Sequence, residues 1–213
     1  MTKKSSKNLD QIRIITQLLF LAVFIMLFLT KRMQLWIFIF GAGVLTSIFF
    51  SRFYCGWICP IGTIMRAQSW VYKVLHLKRF KTPRLMKSPV FKWAVLIAFV
   101  VLMLLTKMIH LKINIILYVV AAGVLVSLLF EEELWHKYLC PYGTILNITS
   151  RKAPLKLRVD ESKCISCGLC QKVCINNCIS TLENQKRAVE SKDCIMCHKC
   201  QVVCPTGAIQ YKK

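Results

Sequence analysis

Four apolar runs, at residues 14–30, 35–51, 91–109 and 113–130, constrain this chain more than any other feature. Each is near the lower end of the roughly 17–25 residues a helix needs to cross a bilayer. In lipid every backbone N–H and C=O must find its partner inside the segment, so such runs fold as helices. None carries a charge at its centre, which leaves an ion pathway without support. Lys31, Arg32, Met33 and Gln34 join the first two runs, and the last two are joined across Lys107, His110 and Lys112. Both pairs read as tight hairpins.

The chain is 56% hydrophobic yet carries a formal charge of +21. Spans separated by basic loops explain both numbers; a nucleic-acid-binding protein would share the charge but not the four runs. Lys3, Lys4, Lys7 and Arg13 precede the first run. Arg52, Arg66, Lys73, Lys78, Arg79, Lys81, Arg84, Lys87 and Lys92 fill the long connection between the second and third. By the positive-inside rule that side is cytoplasmic, so a multi-pass protein of the inner membrane with both termini in the cytoplasm is expected. The Lys-rich start and apolar stretch lack a small-residue cleavage site, and read as an uncleaved first span. Trp36, Trp57, Trp93 and Trp135 fall near span ends, where interfacial anchors are expected.

The helical part is duplicated. FYCGWICPIGTIM (53–65) aligns with LWHKYLCPYGTIL (134–146) at an offset of 81, which matches Cys59-Pro60 to Cys140-Pro141. The same offset lays Gly41-Ala42 over Ala122-Gly123, small residues that let helices approach. Each unit is then a hairpin followed by a cysteine-proline segment, and both segments emerge on the same side.

After Pro154 the sequence turns polar and cysteine-dense. The division expected is 1–153, a transmembrane domain, and 154–213, a small α+β domain with a hairpin over 179–190 turning near Asn184-Gln185. A piece this short needs a staple beyond its own core. Cys164-x2-Cys167-x2-Cys170-x3-Cys174 recurs, offset by 30, as Cys194-x2-Cys197-x2-Cys200-x3-Cys204-Pro205. Three thiolates so spaced wrap one face of a cubane, and the fourth reaches the other cluster. Two [4Fe–4S] clusters are expected, one on Cys164, Cys167, Cys170 and Cys204, the other on Cys194, Cys197, Cys200 and Cys174. Zinc favours two separated pairs over a run of three. Cys178 stands where the second run has Ala208, and reads as a buried filler. His198 reads as a solvated loop residue that tunes potential.

The conjunction of four spans, two cysteine-proline segments and a two-cluster C-terminal domain resembles the membrane polyferredoxins of the NapH/MauN type. These are related to the ferredoxin half of the nitrous-oxide reductase maturation protein. The resemblance implies electron transfer between membrane quinol or quinone and a redox partner protein, of quinol-dehydrogenase type. Where that family's second segment usually has two cysteines, this chain has His136 and Cys140. Three readings of Cys55, Cys59, His136 and Cys140 stand side by side: an additional metal centre, redox thiols near a quinone headgroup, or buried structural residues. Glu131, Glu132 and Glu133 close the fourth run against the helix dipole, with Arg52 the expected partner of Glu133. Glu133 is alternatively a proton acceptor for quinol oxidation. A second function stays open: a maturation factor that binds or reduces copper for a partner enzyme, since soft thiolates suit Cu(I).

Overall fold

A computed structural model describes residues 3–109 and 114–212, with side chains described from residue 8 onward. His110, Lys112 and the first residue of the fourth run lie outside the described residues, as do the side chains of Lys3, Lys4 and Lys7.

The chain folds as α1 (Lys3–Leu29), α2 (Trp36–Phe50), α3 (Phe53–Trp57), α4 (Pro60–Val74), α5 (Pro89–Met108), α6 (Ile115–Leu129) and α7 (Pro141–Thr149). The strands and helices β1 (Lys156–Val159), α8 (Leu169–Lys172), β2 (Ile179–Thr181), β3 (Arg187–Val189), α9 (Lys199–Val203) and β4 (Ile209–Lys212) follow. Three stretches are long and apolar enough to cross a membrane: Asn8–Leu29, Met33–Phe50 and Pro89–Met108. The fourth apolar helix, α6, has 15 residues, about 22 Å at 1.5 Å per residue.

The duplication is present in the backbone. Pro60 and Pro141 each occupy the first turn of a helix, where a missing N–H costs nothing, behind Cys59 and Cys140 in extended conformation. The amide of Cys59 bonds to the carbonyl of Tyr54 at 3.0 Å, and the amide of Cys140 to the carbonyl of Trp135 at 2.8 Å. Both are widened five-residue turns, related by the offset of 81. Thr63 and Thr144 return their hydroxyls to the carbonyls of Cys59 and Cys140 at 3.2 and 3.1 Å. Packing repeats as well: α4 lies against α1 and α6, while α7 lies against α5 and α2. Each cysteine-proline helix therefore bridges the first helix of its own unit and the second helix of the other.

Several expectations about the helices change. Trp36, Trp57 and Trp135 are buried, and only Trp93 of the four is exposed. Trp36 donates its indole N–H to the Tyr54 hydroxyl at 2.9 Å, so it is a core residue and not an anchor. Gly41 faces open space and brings no helices together. The close approaches are at Gly43, where an added Cβ would sit 2.5 Å from the Tyr54 ring, and at Gly123, 2.9 Å from the Trp135 ring. Tyr54 and Trp135 are themselves repeat partners. Arg13 and Arg52, counted among the topology charges, are both buried.

The C-terminal domain pairs β1 with β4 and β2 with β3, both antiparallel. The second pair is the expected hairpin, and Gln185 takes the left-handed conformation (φ 63°) at its turn. The offset of 30 is again visible in the backbone. Ser166 and Met196, Gly168 and His198, and Asn177 and Gly207 are pairs with positive φ at matching places in the two cysteine runs.

Candidate functional site

Two cavities in the C-terminal domain are lined by the cysteines of the two runs. One has Cys164, Cys167 and Cys170 from the first run and Cys204 from the second. The other has Cys194, Cys197 and Cys200 from the second run and Cys174 from the first. Each lining contains one of the two interleaved sets read from spacing, the second with Cys178 besides, and all eight are free thiols. Four thiols around each cavity suit a cubane, which is larger than a single ion. Among the described residues no three His, Cys, Asp or Glu side chains close on one ion-sized point.

Cys178 also lines the second cavity, buried, with its sulfur 3.5 Å from that of Cys174. His198 is not solvated. It is buried, with Nδ1 3.0 Å from Oε1 of Gln201, and its ring meets Trp57 and Tyr211 edge-on, both at 5.9 Å. Burial lowers its pKa, so the neutral ring packs as an aromatic wedge between the two parts of the chain.

The membrane-edge segment docks directly on the second cysteine run. Trp57 donates its indole N–H to the carbonyl of Met196 at 3.1 Å, and a Cβ on Gly56 would fall 2.3 Å from the carbonyl of Ile195. Only glycine fits there. Arg13, on α1, donates to the carbonyl of Cys197 and pairs with Asp10 at 2.5 Å. Gln17 and Arg66 both donate to the carbonyl of Gly56. Tyr54, Cys55, Leu146 and Ile195 form one buried cluster, with Cys59 and Cys197 packed against it.

The repeat brings Cys55, Cys59, Cys140 and His136 to this edge. A Cβ on Gly62 would meet the carbonyl of Cys55 at 3.2 Å and the His136 ring at 3.7 Å; one on Gly143 would meet the carbonyl of His136 at 3.3 Å. Burial, with Arg66 and Arg52 adding to it, pushes the His136 imidazole down to about 3. It is therefore neutral, and its 3.9 Å approach to Glu132 is neither an ion pair nor a hydrogen bond. Arg52 does not pair with Glu133. Its Nη2 lies 3.3 Å from the carbonyl of His136 and 3.9 Å from Sγ of Cys55, while Nε and Nη1 find no hydrogen-bond partner among the described residues. Glu133 accepts from Asn177 at 2.8 Å and stands 3.9 Å from Lys137. Sequence gave no signal for Asn177, whose contact depends on how the two domains meet.

An apolar cavity of about 530 Å³ lies on the other side of the same segment, between α2, α5, α6 and α7. Trp36, Phe40, Phe99 and Tyr142 line it, with Lys107 and Asn114 at one end and Cys59-Pro60 at the other. Its volume is in the range of organic-ligand sites. Of the membrane-edge residues singled out from sequence, Cys59 lines it; Cys55, His136, Cys140 and Glu133 do not.

Comparison with known proteins agrees with this arrangement. A family model described as a 4Fe–4S binding domain matches residues 32–83 and again 114–160, one match per helical unit. A 4Fe–4S dicluster domain model matches residues 163–208. The methylamine utilization ferredoxin-type protein MauN of Methylobacillus flagellatus is 28% identical over 143 residues, covering 60% of this chain and 49% of its own length. The ferredoxin-type protein NapH of Haemophilus influenzae is 26% identical over 149 residues, covering 63% and 52%. The chain is homologous to ferredoxin-type proteins of the NapH/MauN type. An uncharacterized protein of Methanocaldococcus jannaschii is 32% identical over 142 residues, covering 62% of this chain and 54% of that protein. The chain spans about half the length of these relatives. No solved structure matches. The matches give the chain 4Fe–4S binding domains, beside three helical stretches long and apolar enough to cross a membrane.

Proposed function

We propose that the protein carries electrons between the quinone pool and a redox partner, with quinol or quinone held in the apolar cavity. Its α6 serves as a fourth, short span, and the basic loops and the C-terminal domain face the cytoplasm of the inner membrane. Cys174, Cys194, Cys197 and Cys200 hold one cluster, and Cys164, Cys167, Cys170 and Cys204 a second. When bound, each cluster supplies a one-electron carrier.

One observation carries this reading. The α3–α4 turn has Cys59 in the wall of the cavity, while Gly56 and Trp57, three and two residues earlier, touch the backbone of the second cysteine run. A single turn of chain thus separates an organic-ligand site from a cluster cradle. The cavity's aromatic walls suit a quinone ring and exclude water, and Gly56 keeps the separation to one layer of backbone. Glu133, fastened to Asn177, is not in direct contact with the cavity, so it is not the immediate acceptor of a quinol proton in this proposal.

The test uses purified full-length protein in lipid nanodiscs. Anaerobic addition of a quinol analogue is expected to produce the EPR signals of reduced [4Fe–4S] clusters. Clusters that respond to dithionite but not to the quinol would reject the proposal. A second reading, copper handling for a partner enzyme, rests on Cys55, Cys59 and Cys140 lying within electrostatic reach of one another at the membrane edge. Stoichiometric copper in the same preparation, lost on substitution of those cysteines, would favour it.

A further inference from the structure

The two cysteine runs are related by the offset of 30, but their surroundings differ. Ile195, directly after Cys194, is 3% exposed because it is seated against Tyr54, Cys55 and Leu146 of the helical part. Its twin Ile165, directly after Cys164, is 60% exposed. Among the described residues of the C-terminal domain, the large apolar side chains left well exposed are Ile165 and Leu169, at 41%. Both line the first cysteine-bounded cavity, and Cys167 between them is exposed. The fold thus uses this loop face once as an interface and presents the same face a second time without cover.

The charge around the uncovered face is basic. Lys163 and Lys172 flank it and are exposed. Lys186 donates to the carbonyl of Cys164 and Arg187 to that of Ser166, which brings two more cations to the loop. Two carboxylates lie beside these four cations: Asp160, 3.7 Å from Lys163 and accepting from Ser162, and Glu161, accepting from Asn184, so the rim keeps a positive excess. An apolar centre with a cationic rim fits a partner with an apolar patch inside an acidic surface.

We infer that the face around Ile165, Cys167 and Leu169 is the docking surface for an acidic electron-carrier protein. This deepens the electron-transfer reading and rests on it. Ile165 and Leu169 supply the desolvated centre, and Lys163 and Lys172 steer approach. The opposite cradle, covered by Trp57 and Ile195, is closed to such a partner.

The probe is an oxidised flavodoxin with an acidic surface, titrated against the full-length protein in nanodiscs at low and high salt. Basic cytochrome c serves as the charge control. Flavodoxin is expected to bind at low salt and to weaken by at least about tenfold in a Lys163→Glu, Lys172→Glu variant and with added salt. Ile165→Ser weakens it without changing its salt dependence. In the Lys163→Glu, Lys172→Glu variant iron content and reduction of the clusters by the quinol analogue stay as in wild type. No flavodoxin binding, binding indifferent to these substitutions, or equal binding of cytochrome c would overturn the assignment. Failure of quinol reduction alone, with docking intact, would instead reject the quinone reading.

Discussion

Trp57 and Met196 are joined by a 3.1 Å hydrogen bond from the indole N–H to the backbone carbonyl, across 139 positions of sequence. The bond fixes the membrane-edge segment on the second cysteine run, and the Trp57 ring stacks on Phe53 on the same short helix, centroids 4.9 Å apart. Trp57→Phe keeps most of the apolar contact and leaves the Met196 carbonyl without its donor, at a cost of about 1–3 kcal/mol. Hydrogen exchange of residues 194–198 is expected to accelerate correspondingly, with iron content unchanged. Unaltered exchange would show that the contact does not hold the domain in place.

The three membrane-edge cysteines are expected to be dispensable for the clusters. A Cys55→Ser, Cys59→Ser, Cys140→Ser variant should retain about eight irons, the content of two cubanes. Loss of roughly four would establish a further cluster at the edge. Iron and acid-labile sulfide analysis with EPR distinguishes the two results.

Arg13 places a buried cation on the carbonyl of Cys197. A positive group there favours the reduced, more negative state of a bound cluster, so Arg13→Ala should lower the potential of one cluster and spare the other. The shift comes from the part of the cation's field that reaches the cluster and is stronger in the reduced state; the hydrogen bond to the Cys197 carbonyl is made in both states. An EPR-monitored redox titration reads the shift directly.

Much of this arrangement is legible in the sequence because it is repeated there. The offset of 81 foretells the paired turns at Cys59 and Cys140, since in both copies an extended cysteine precedes a proline suited to the first turn of a helix. The offset of 30 foretells which cysteines share a cavity, because thiols at such spacing face one another across the two runs. What sequence does not carry is burial created when the two parts meet. His198, Trp57 and Arg13 look like loop, anchor and topology residues, and all three lie in the seam between helices and cysteine runs. Arg52 and Glu133 are opposite each other in the alignment of the repeats, yet each turns to a different neighbour. Gly41 and Gly43 are equally plausible contacts by composition; only the latter faces Tyr54. The exposure of Ile165 against its covered twin is likewise invisible, because the two loops read alike.

The central claim is that the apolar cavity and the second cysteine run exchange electrons across the α3–α4 turn. Its most direct test is the anaerobic rate of cluster reduction by a quinol analogue in wild type and in Ile116→Trp, a substitution that fills the cavity. Ile116 lines the cavity and touches neither cysteine run. A rate at least about tenfold lower at limiting quinol is expected in the variant, as for a blocked binding site, with reduction by dithionite unchanged. Equal rates of quinol reduction in the two proteins would contradict it.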